Sequence, residues 1–239
     1  MSLNPYYEED GIAIYHGDCR EITEWLQADF LVTDPPYGMD FASGMNGHHA
    51  GEKIAGDGDL TEREAALELW GDRPALVMGR WSIPRPSGTR MVLTWEKGRH
   101  VGMGDLSLPW KPNTEEVYVL GRGFKGERGS SVLRHLAVAG CVGRNNTGKR
   151  RHTTEKPVSL MYDLVSKCPG VIADPFMGSG PTLEAAKLLG LPAIGIEKKE
   201  RYCEAAAERF AQRALPIAGA ELAAALPSKS ESSDGGEGR

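Results

Sequence analysis

The chain has 239 residues, of which 40% are hydrophobic, and this length and content favour one large domain over two small ones. Its formal net charge of -5 gives no global electrostatic argument for a nucleic-acid partner. No apolar run is long enough to span a membrane and the amino terminus lacks a secretory pattern, so a cytoplasmic protein is expected. The four cysteines form no Cys-x-x-Cys pair, and neither a disulfide framework nor a metal site is predicted.

The first predicted strand covers Gly11 to His16, and Asp18 and Cys19 follow at its carboxyl end. The pattern from Arg20 to Leu26 predicts a short helix. An aspartate at such a point either caps the next helix or accepts a hydrogen bond from the amino group of a bound nucleoside. The residues alone leave both interpretations open.

The second predicted strand, Phe30 to Thr33, leads directly into the sequence Asp34-Pro35-Pro36-Tyr37. Prolines fix their own φ and restrict the preceding residue, so this corner is stiff. In an open α/β sheet, ligands bind at the carboxyl ends of strands. The Asp34 carboxylate and the Pro35 carbonyl can accept the two hydrogens of an exocyclic amine, while Tyr37 can stack on a planar ring. The corner therefore predicts a site for a nitrogenous base, with a structural turn as the alternative.

The middle of the chain predicts further elements of an α/β domain. Residues 39–59 have no periodicity and predict a long irregular loop, and residues 60–70 predict an amphipathic helix. The segment Ala75 to Met78 is compatible with a helix. Three more strands are predicted at 89–95, 115–120 and 131–138.

A strongly basic segment covers residues 143–156. Charged runs are usually solvated surface, but this one has almost no compensating carboxylates and follows a predicted base-binding motif. Contacts with phosphates are therefore the favoured interpretation. The residues predicted to bind DNA in this way are Arg144, Lys149, Arg150 and Arg151. A helix from Pro157 to Lys167 is predicted next, with proline in its first turn.

The second informative stretch, residues 171–180, predicts a strand followed by a tight Gly-x-Gly turn into a helix over 181–189. The next strand, Ala193 to Ile196, ends at Glu197. Glycines allow a ligand to approach the backbone, and an acid at the end of the next strand can bind ribose hydroxyls. The third glycine of a dinucleotide motif is missing and Pro181 starts the helix, so a nucleoside without phosphates fits better. A last helix is predicted over 200–210.

Together, Asp34-Pro35-Pro36-Tyr37 and Asp174-Pro-Phe-Met-Gly-Ser-Gly180 resemble the motifs of the S-adenosylmethionine-dependent DNA amino-methyltransferases. The Lys156-Pro157 pair also matches a motif of this family. The catalytic motif comes before the cofactor motif, which is similar to the circularly permuted β group, and the compact chain resembles phage-encoded members. The resemblance implies an α/β class I methyltransferase fold, a Rossmann-like, seven-stranded, mostly parallel sheet with helices on both faces.

The resemblance also implies a role for each motif residue, with S-adenosyl-L-methionine as cofactor and DNA as partner. The catalytic residues facing the target base would be Asp34, Pro35, Pro36 and Tyr37. The methionine part of the cofactor would be surrounded by Phe176, Gly178, Ser179 and Gly180, with Asp174 nearby and Lys156 beside its carboxylate. Glu197 would bind the ribose hydroxyls, and Asp18 with Cys19 would reach the adenine.

The resemblance implies a single catalytic domain over 1–226, with a reduced target-recognition insert near 122–151. Beyond Leu226 the sequence is dominated by Ser, Gly, Asp, Glu and Lys, so a disordered tail is expected over 227–239. Members with aspartate at the first motif position more often methylate the N6 amine of adenine, and this is the expected reaction. Methylation of cytosine N4, methylation of RNA and a non-catalytic DNA-binding module are the alternatives. A homodimer and a companion restriction nuclease are left open.

Overall fold

The computed structural model describes residues 3–37, 59–98, 104–137 and 155–212. Within these ranges nine strands form one sheet. Their bounds are β1 (Tyr7–Glu9), β2 (Ile12–His16), β3 (Phe30–Thr33), β4 (Ala75–Gly79), β5 (Met91–Glu96), β6 (Thr114–Leu120), β7 (Val132–Arg134), β8 (Ile172–Asp174) and β9 (Ala193–Glu197). The helices are α1 (Thr61–Trp70), α2 (Val158–Val165), α3 (Pro181–Leu188) and α4 (Glu200–Gln212), with a 3-10 helix at Glu24–Gln27.

The strands lie in the order β1-β2-β9-β8-β3-β4-β6-β5-β7. The five neighbouring strands β2, β9, β8, β3 and β4 are parallel to one another, whereas β1 and β6 run antiparallel to their neighbours. One face of the sheet packs against α2, α3 and α4, and the other against α1 and the 3-10 helix. The predicted α/β class with helices on both faces is confirmed. Because the central strands are parallel, their carboxyl ends meet at one edge of the sheet.

The predicted count of seven strands is wrong, because two short edge strands extend the sheet to nine. Asp10 and Gly11 both adopt positive φ angles, 51° and 78°, and this turn folds β1 back onto β2. At the opposite edge β7 pairs with β5. Strand β7 lies within the segment 131–138 that the sequence predicts as a strand, whereas β1 was not predicted, because its three residues are too few to show an alternating pattern.

The segment Ala75 to Met78, interpreted as compatible with a helix, is instead strand β4. All five residues of this strand are buried, since it lies between β3 and β6 with both faces covered. A continuous apolar run of this length is typical of a strand buried on both faces, and periodicity alone does not distinguish it from a buried helix. The helix predicted from Arg20 to Leu26 is reduced to the 3-10 helix at Glu24–Gln27.

Several predictions concern residues outside the described ranges. They are residues 39–58 of the loop predicted over 39–59, the tail over 227–239 and the basic residues Arg144, Lys149, Arg150 and Arg151. These remain sequence-based predictions. Among the residues that the structure does describe, no helix combines the length and the apolar character needed to cross a membrane.

The two glycines that flank α3 provide a test of packing at the predicted cofactor loop. Gly180 has a φ of 81°, and a Cβ there would lie 3.2 Å from the Cβ of Ala206 and 3.3 Å from the ring of Phe210. Gly190 has a φ of 68° but nothing within 4 Å of such a Cβ. We expect Gly190→Ala to lower the free energy of unfolding by about 1 kcal/mol through backbone strain, and Gly180→Ala by about 2–4 kcal/mol through strain plus crowding. Urea denaturation measures both, and equal losses would contradict the packing argument.

Candidate active site

Four acidic residues meet at the carboxyl edge of the sheet. Asp18 follows β2, Asp34 follows β3, Asp174 ends β8 and Glu197 ends β9. The register places His16 opposite Glu197, and Asp174 opposite Gly195. The two motifs singled out in the sequence are therefore neighbours in space, because β3 and β8 pair directly.

The carboxylate of Asp174 connects the two motif strands. Its Oδ1 accepts a hydrogen bond from the Thr33 hydroxyl at 2.7 Å and from the Phe176 backbone N–H at 3.2 Å, and the Thr182 hydroxyl also bonds this carboxylate. Asp174 is buried, and burial raises the pKa of its carboxyl to about 6, although these hydrogen bonds oppose the shift. The loop after β8 is thus fixed against β3 by a buried polar network.

Glu197, predicted to bind ribose hydroxyls, accepts two backbone hydrogen bonds at the tip of β9. Its Oε2 accepts the backbone N–H of Gly178 at 3.1 Å and its Oε1 accepts that of Lys199 at 2.8 Å. A carboxylate oxygen has two lone pairs, so each oxygen can accept one more hydrogen bond, for example from a ribose hydroxyl. Burial raises the pKa of this carboxyl above its ordinary value, with the two backbone donors opposing the shift.

The loop between β8 and α3 contains the residues predicted to surround the cofactor, and that contact stays a prediction. Gly178 and Gly180 have φ angles of 52° and 81°, which glycine adopts without strain. The Ser179 hydroxyl is buried and has no hydrogen-bond partner among the described residues. Buried polar groups normally have partners, so this hydroxyl is available to one supplied by a ligand. The side chain of Phe176 is partly exposed beside it.

Asp18 is held by cations of its own chain. Its carboxylate accepts hydrogen bonds from the backbone and guanidinium of Arg20 and lies 3.2 Å from the Lys198 ammonium. These contacts hold the pKa of Asp18 well below its usual range. Cys19 is buried, which raises the pKa of its thiol to about 12, and its carbonyl accepts the indole N–H of Trp25. The pair lies at the tip of β2, and its contact with an adenine stays a prediction.

The corner after β3 brings Asp34 and Tyr37 together. The Tyr37 hydroxyl donates to Oδ1 of Asp34 at 2.7 Å, and the Lys156 ammonium donates to Oδ2 at 2.6 Å. Pro35 is buried, while the Asp34 side chain remains 23% exposed and Pro36 is partly exposed. Burial raises the pKa of the Asp34 carboxyl, with Lys156 opposing the shift. Burial and the neighbouring carboxylate also raise the pKa of Tyr37 well above its ordinary value, so it is a neutral donor.

Two charged residues that the sequence analysis missed adjoin this corner. Glu115 in β6 lies 3.5 Å from Lys156 and accepts a hydrogen bond from Lys97 at 3.1 Å. Burial alone would lower the pKa of Lys156, but Asp34 and Glu115 outweigh it and raise that pKa. The available sequence signal was weak: Lys97 directly follows a strand whose carboxyl end lies at the same edge.

No group of three or more His, Cys, Asp or Glu side chains within the described ranges is arranged to hold a metal ion. The carboxylates at the sheet edge instead bond backbone N–H groups, hydroxyls, ammonium groups and a guanidinium. This pattern suits the recognition of hydrogen-bond donors on organic ligands.

Solved structures of other proteins share this fold. The M1.HpyAVI complex with S-adenosylmethionine is 22% identical, with a TM-score of 0.57 over 83% of this chain and 98% of that one. The PvuII DNA methyltransferase, cytosine-N4-specific, is 15% identical, with a TM-score of 0.59 over 86% and 88% of the respective chains. The fold is that of the class I methyltransferases, as predicted.

Sequence comparisons define the family. The methylase YubD of Escherichia coli (strain K12) is 30% identical over 216 residues, which are 83% of this chain and 91% of the relative. The DNA methylase family matches residues 93–208. The type II methyltransferase M.HinfI of Haemophilus influenzae is 40% identical over 77 residues, 29% of this chain and 21% of the relative.

The chain belongs to the DNA methylase family, which covers both N6-adenine and N4-cytosine DNA methyltransferases. The members of this family depend on S-adenosylmethionine, which confirms the predicted cofactor. The resemblance to DNA amino-methyltransferases is confirmed at this level.

The raised pKa of Asp174 predicts a pH-dependent stability. Its folded-state pKa of about 6 exceeds the ordinary 3.8, so between about pH 4 and 6 the folded chain retains a proton that the unfolded chain releases. The free energy of unfolding should therefore fall as the pH rises through this window, by about 2–3 kcal/mol from this group.

Asp174→Asn removes the titration and should flatten the decline by that amount. Urea denaturation at pH 4 to 7 measures it, with the exposed Asp72→Asn as control; wild-type and Asp174→Asn curves of equal slope would contradict the assignment.

Proposed function

We propose that this chain transfers a methyl group from S-adenosylmethionine to the exocyclic N6 amine of adenine in a specific DNA sequence. The observation that carries the proposal is the Asp34 carboxylate at the end of β3, partly exposed and bonded to Tyr37, beside the loop that follows β8. An acceptor for an amine and a site for a nucleoside cofactor are thus side by side.

The amine of adenine is a poor nucleophile, because its lone pair is delocalised into the ring. The Asp34 carboxylate and the Pro35 carbonyl would accept the two amine hydrogens, which localises the lone pair and directs it. Bound S-adenosylmethionine supplies an electrophilic methyl group. Positioning and electrostatic complementarity provide most of the rate enhancement. The amine loses a proton in the reaction, and the Asp34 carboxylate can accept it because burial raises its pKa.

The cofactor would be held by the loop after β8 and by the tips of β2 and β9. Glu197 would accept hydrogen bonds from the ribose hydroxyls, and the buried Ser179 hydroxyl would gain a partner. Phe176, Gly178 and Gly180 would enclose the methionine part, with Asp174 nearby and Lys156 beside its carboxylate. Asp18 and Cys19 would adjoin the adenine.

Access to a base in duplex DNA requires that it be flipped out of the helix, at a cost of a few kcal/mol. Stacking on Tyr37 would offset part of this cost, since such contacts are worth about 1–3 kcal/mol per base. Arg144, Lys149, Arg150 and Arg151 would contact phosphates from the recognition insert near 122–151 of a single catalytic domain over 1–226. A basic segment of this kind provides affinity and orientation on the backbone rather than sequence information.

Adenine is proposed over cytosine because Asp34 occupies the first position of the motif, as in enzymes of the N6 type that the sequence resembles. The catalytic strand β3 precedes the cofactor strand β8 in the chain, which supports assignment to the permuted β group. The same amine chemistry would serve cytosine N4, so the base itself is what the first experiment must identify.

The test is methylation of DNA of known sequence with isotope-labelled S-adenosylmethionine, followed by mass spectrometry of the nucleosides and mapping of the modified positions. The expected product is N6-methyladenine within one short sequence context. N4-methylcytosine as the sole product would refute the proposed base, and absence of transfer to any DNA would refute the proposed reaction.

Asp34→Ala removes the acceptor for the target amine. The rate of methyl transfer should fall by about 10³-fold, in line with the loss of one preorganised hydrogen-bonding group in other active sites. The cofactor dissociation constant, measured by calorimetry, should change by less than about threefold, since Asp34 is not among the residues proposed to bind the cofactor. Turnover close to that of the wild type would exclude Asp34 from the reaction.

Glu197→Gln should weaken cofactor binding about 10- to 100-fold, because hydrogen bonds to a charged acceptor contribute about 1.5–3 kcal/mol. Calorimetric titration of the protein with S-adenosylmethionine measures the change. Glu200→Gln is the matched control, since this exposed side chain lies at the start of α4 and should leave the affinity unaltered. Equal affinities for Glu197→Gln and Glu200→Gln would remove Glu197 from the cofactor site.

A further inference from the structure

Four side chains of alternating charge form a continuous row beside the proposed catalytic corner. Lys97 donates to Glu115 at 3.1 Å, Glu115 lies 3.5 Å from Lys156, and Lys156 donates to Asp34 at 2.6 Å. The exposed fractions of Lys97, Glu115 and Lys156 are 15%, 19% and 6%. The row contains two cations and two carboxylates, so its formal charge is balanced.

Both oxygens of Asp34 are already hydrogen-bonded within the chain. Tyr37 donates to Oδ1 and Lys156 donates to Oδ2. An ammonium is a stronger donor than the neutral amine of a base, because charge-assisted hydrogen bonds are shorter and stronger. Each oxygen keeps a second lone pair, so an amine that binds Asp34 must either share an oxygen with Tyr37 or Lys156 or displace one of them.

The ammonium of Lys156 has a second acceptor within reach. It has three N–H donors, and Oε2 of Glu115 is buried with no hydrogen bond within the usual limit among the described residues. Lys97 is bonded to the other oxygen, Oε1, which fixes the Glu115 side chain and leaves Oε2 directed to Lys156. Moving the ammonium to Glu115 would replace one charged acceptor of Lys156 by another, while Asp34 would keep the hydrogen bond from Tyr37 and gain those of the amine.

We propose that Glu115 is a positioning residue for methyl transfer, which receives the Lys156 ammonium when Asp34 turns to the amine of the target base. This inference rests on the proposed function, because it assumes that Asp34 accepts the amine. Lys156 then has two positions, on Asp34 when the base is absent and on Glu115 when it is bound. Lys97 supports the second position by holding Glu115.

The central test compares Glu115→Gln and Glu115→Asp with the wild type under saturating cofactor and DNA. Glutamine keeps the size but loses the charged acceptor, and aspartate keeps the charge but retracts it by one methylene. We expect kcat to fall about 30-fold or more in Glu115→Gln and about 10-fold in Glu115→Asp, with the dissociation constants of cofactor and DNA within twofold of the wild type.

Glu116→Gln is the matched control. Glu116 is the next residue of β6, and its carboxylate pairs with Arg85, whose side chain is exposed. Its kcat should stay within twofold of the wild type. Normal turnover of Glu115→Asp would reduce Glu115 to a charge-balancing group and overturn the proposal. The proposal would also be overturned if weaker binding of cofactor or DNA accounted for the lower kcat of the Glu115 variants, because that would indicate a structural role.

A second measurement uses the protein without cofactor or DNA. The charged or titratable groups facing Asp34 are Tyr37, Lys156, Glu115 and Asp174. When Glu115 is replaced by glutamine, Lys156 is left to Asp34 alone, so the pKa of Asp34 measured by carboxyl ¹³C NMR should fall. An unchanged Asp34 titration would show that the two carboxylates do not share the ammonium, and would overturn the proposal.

These measurements separate this inference from the proposed function. If the wild type methylates cytosine N4, the proposed base is wrong, but the kcat comparison applies to that product unchanged, since the same amine chemistry is involved. If the wild type methylates no DNA, the proposed function fails, and the NMR titration alone decides whether Glu115 shares Lys156 with Asp34.

Discussion

The hydrogen bond from Thr33 to Asp174 is the contact on which the arrangement of the site depends. It crosses from the strand before the Asp34 corner to the strand before the glycine loop, and both of its residues are buried. An unpaired carboxyl in this position would be costly, so the pair fixes the two strands relative to each other. The acceptor proposed for the amine and the loop proposed for the cofactor thus share one rigid support.

Different partners give the four acids at the sheet edge different properties. Asp18 is surrounded by cations and Asp174 by hydroxyls, while Asp34 has an ammonium on one oxygen and a phenol on the other. Their pKa values are shifted in opposite directions as a result. A single structural edge therefore provides both a fixed negative charge and carboxyls that bind protons readily, which is the usual way in which similar residues acquire separate roles.

The sequence predicted those parts of the site where prolines or glycines mark a turn at the end of a strand. Pro35 and Pro36 mark the corner, Gly178 and Gly180 mark the loop, and both lie where the strands were expected to end. It did not reveal the lateral contacts: Lys156 and Asp34 are 122 positions apart, and nothing distinguishes Glu115 from its neighbour Glu116 before β6 is placed between β4 and β5. Strand β4 was mistaken for the same reason, since burial on both faces is a property of the assembled sheet.

The order of the strands has a consequence for how the chain acquires its structure during synthesis. Strand β2 pairs with β1 and β9, and β3 pairs with β4 and β8, so the two early strands are separated in the sheet by the two latest ones. A nascent chain that ends before residue 172 has two unconnected groups of strands with open edges. Open strand edges can pair with strands of other chains. Pairing of β2 with β9 and of β3 with β8 joins distant parts of the sequence, and such non-local pairing is slow. The centre of the sheet can close only after β8 and β9, the strands between residues 172 and 197, have been synthesised.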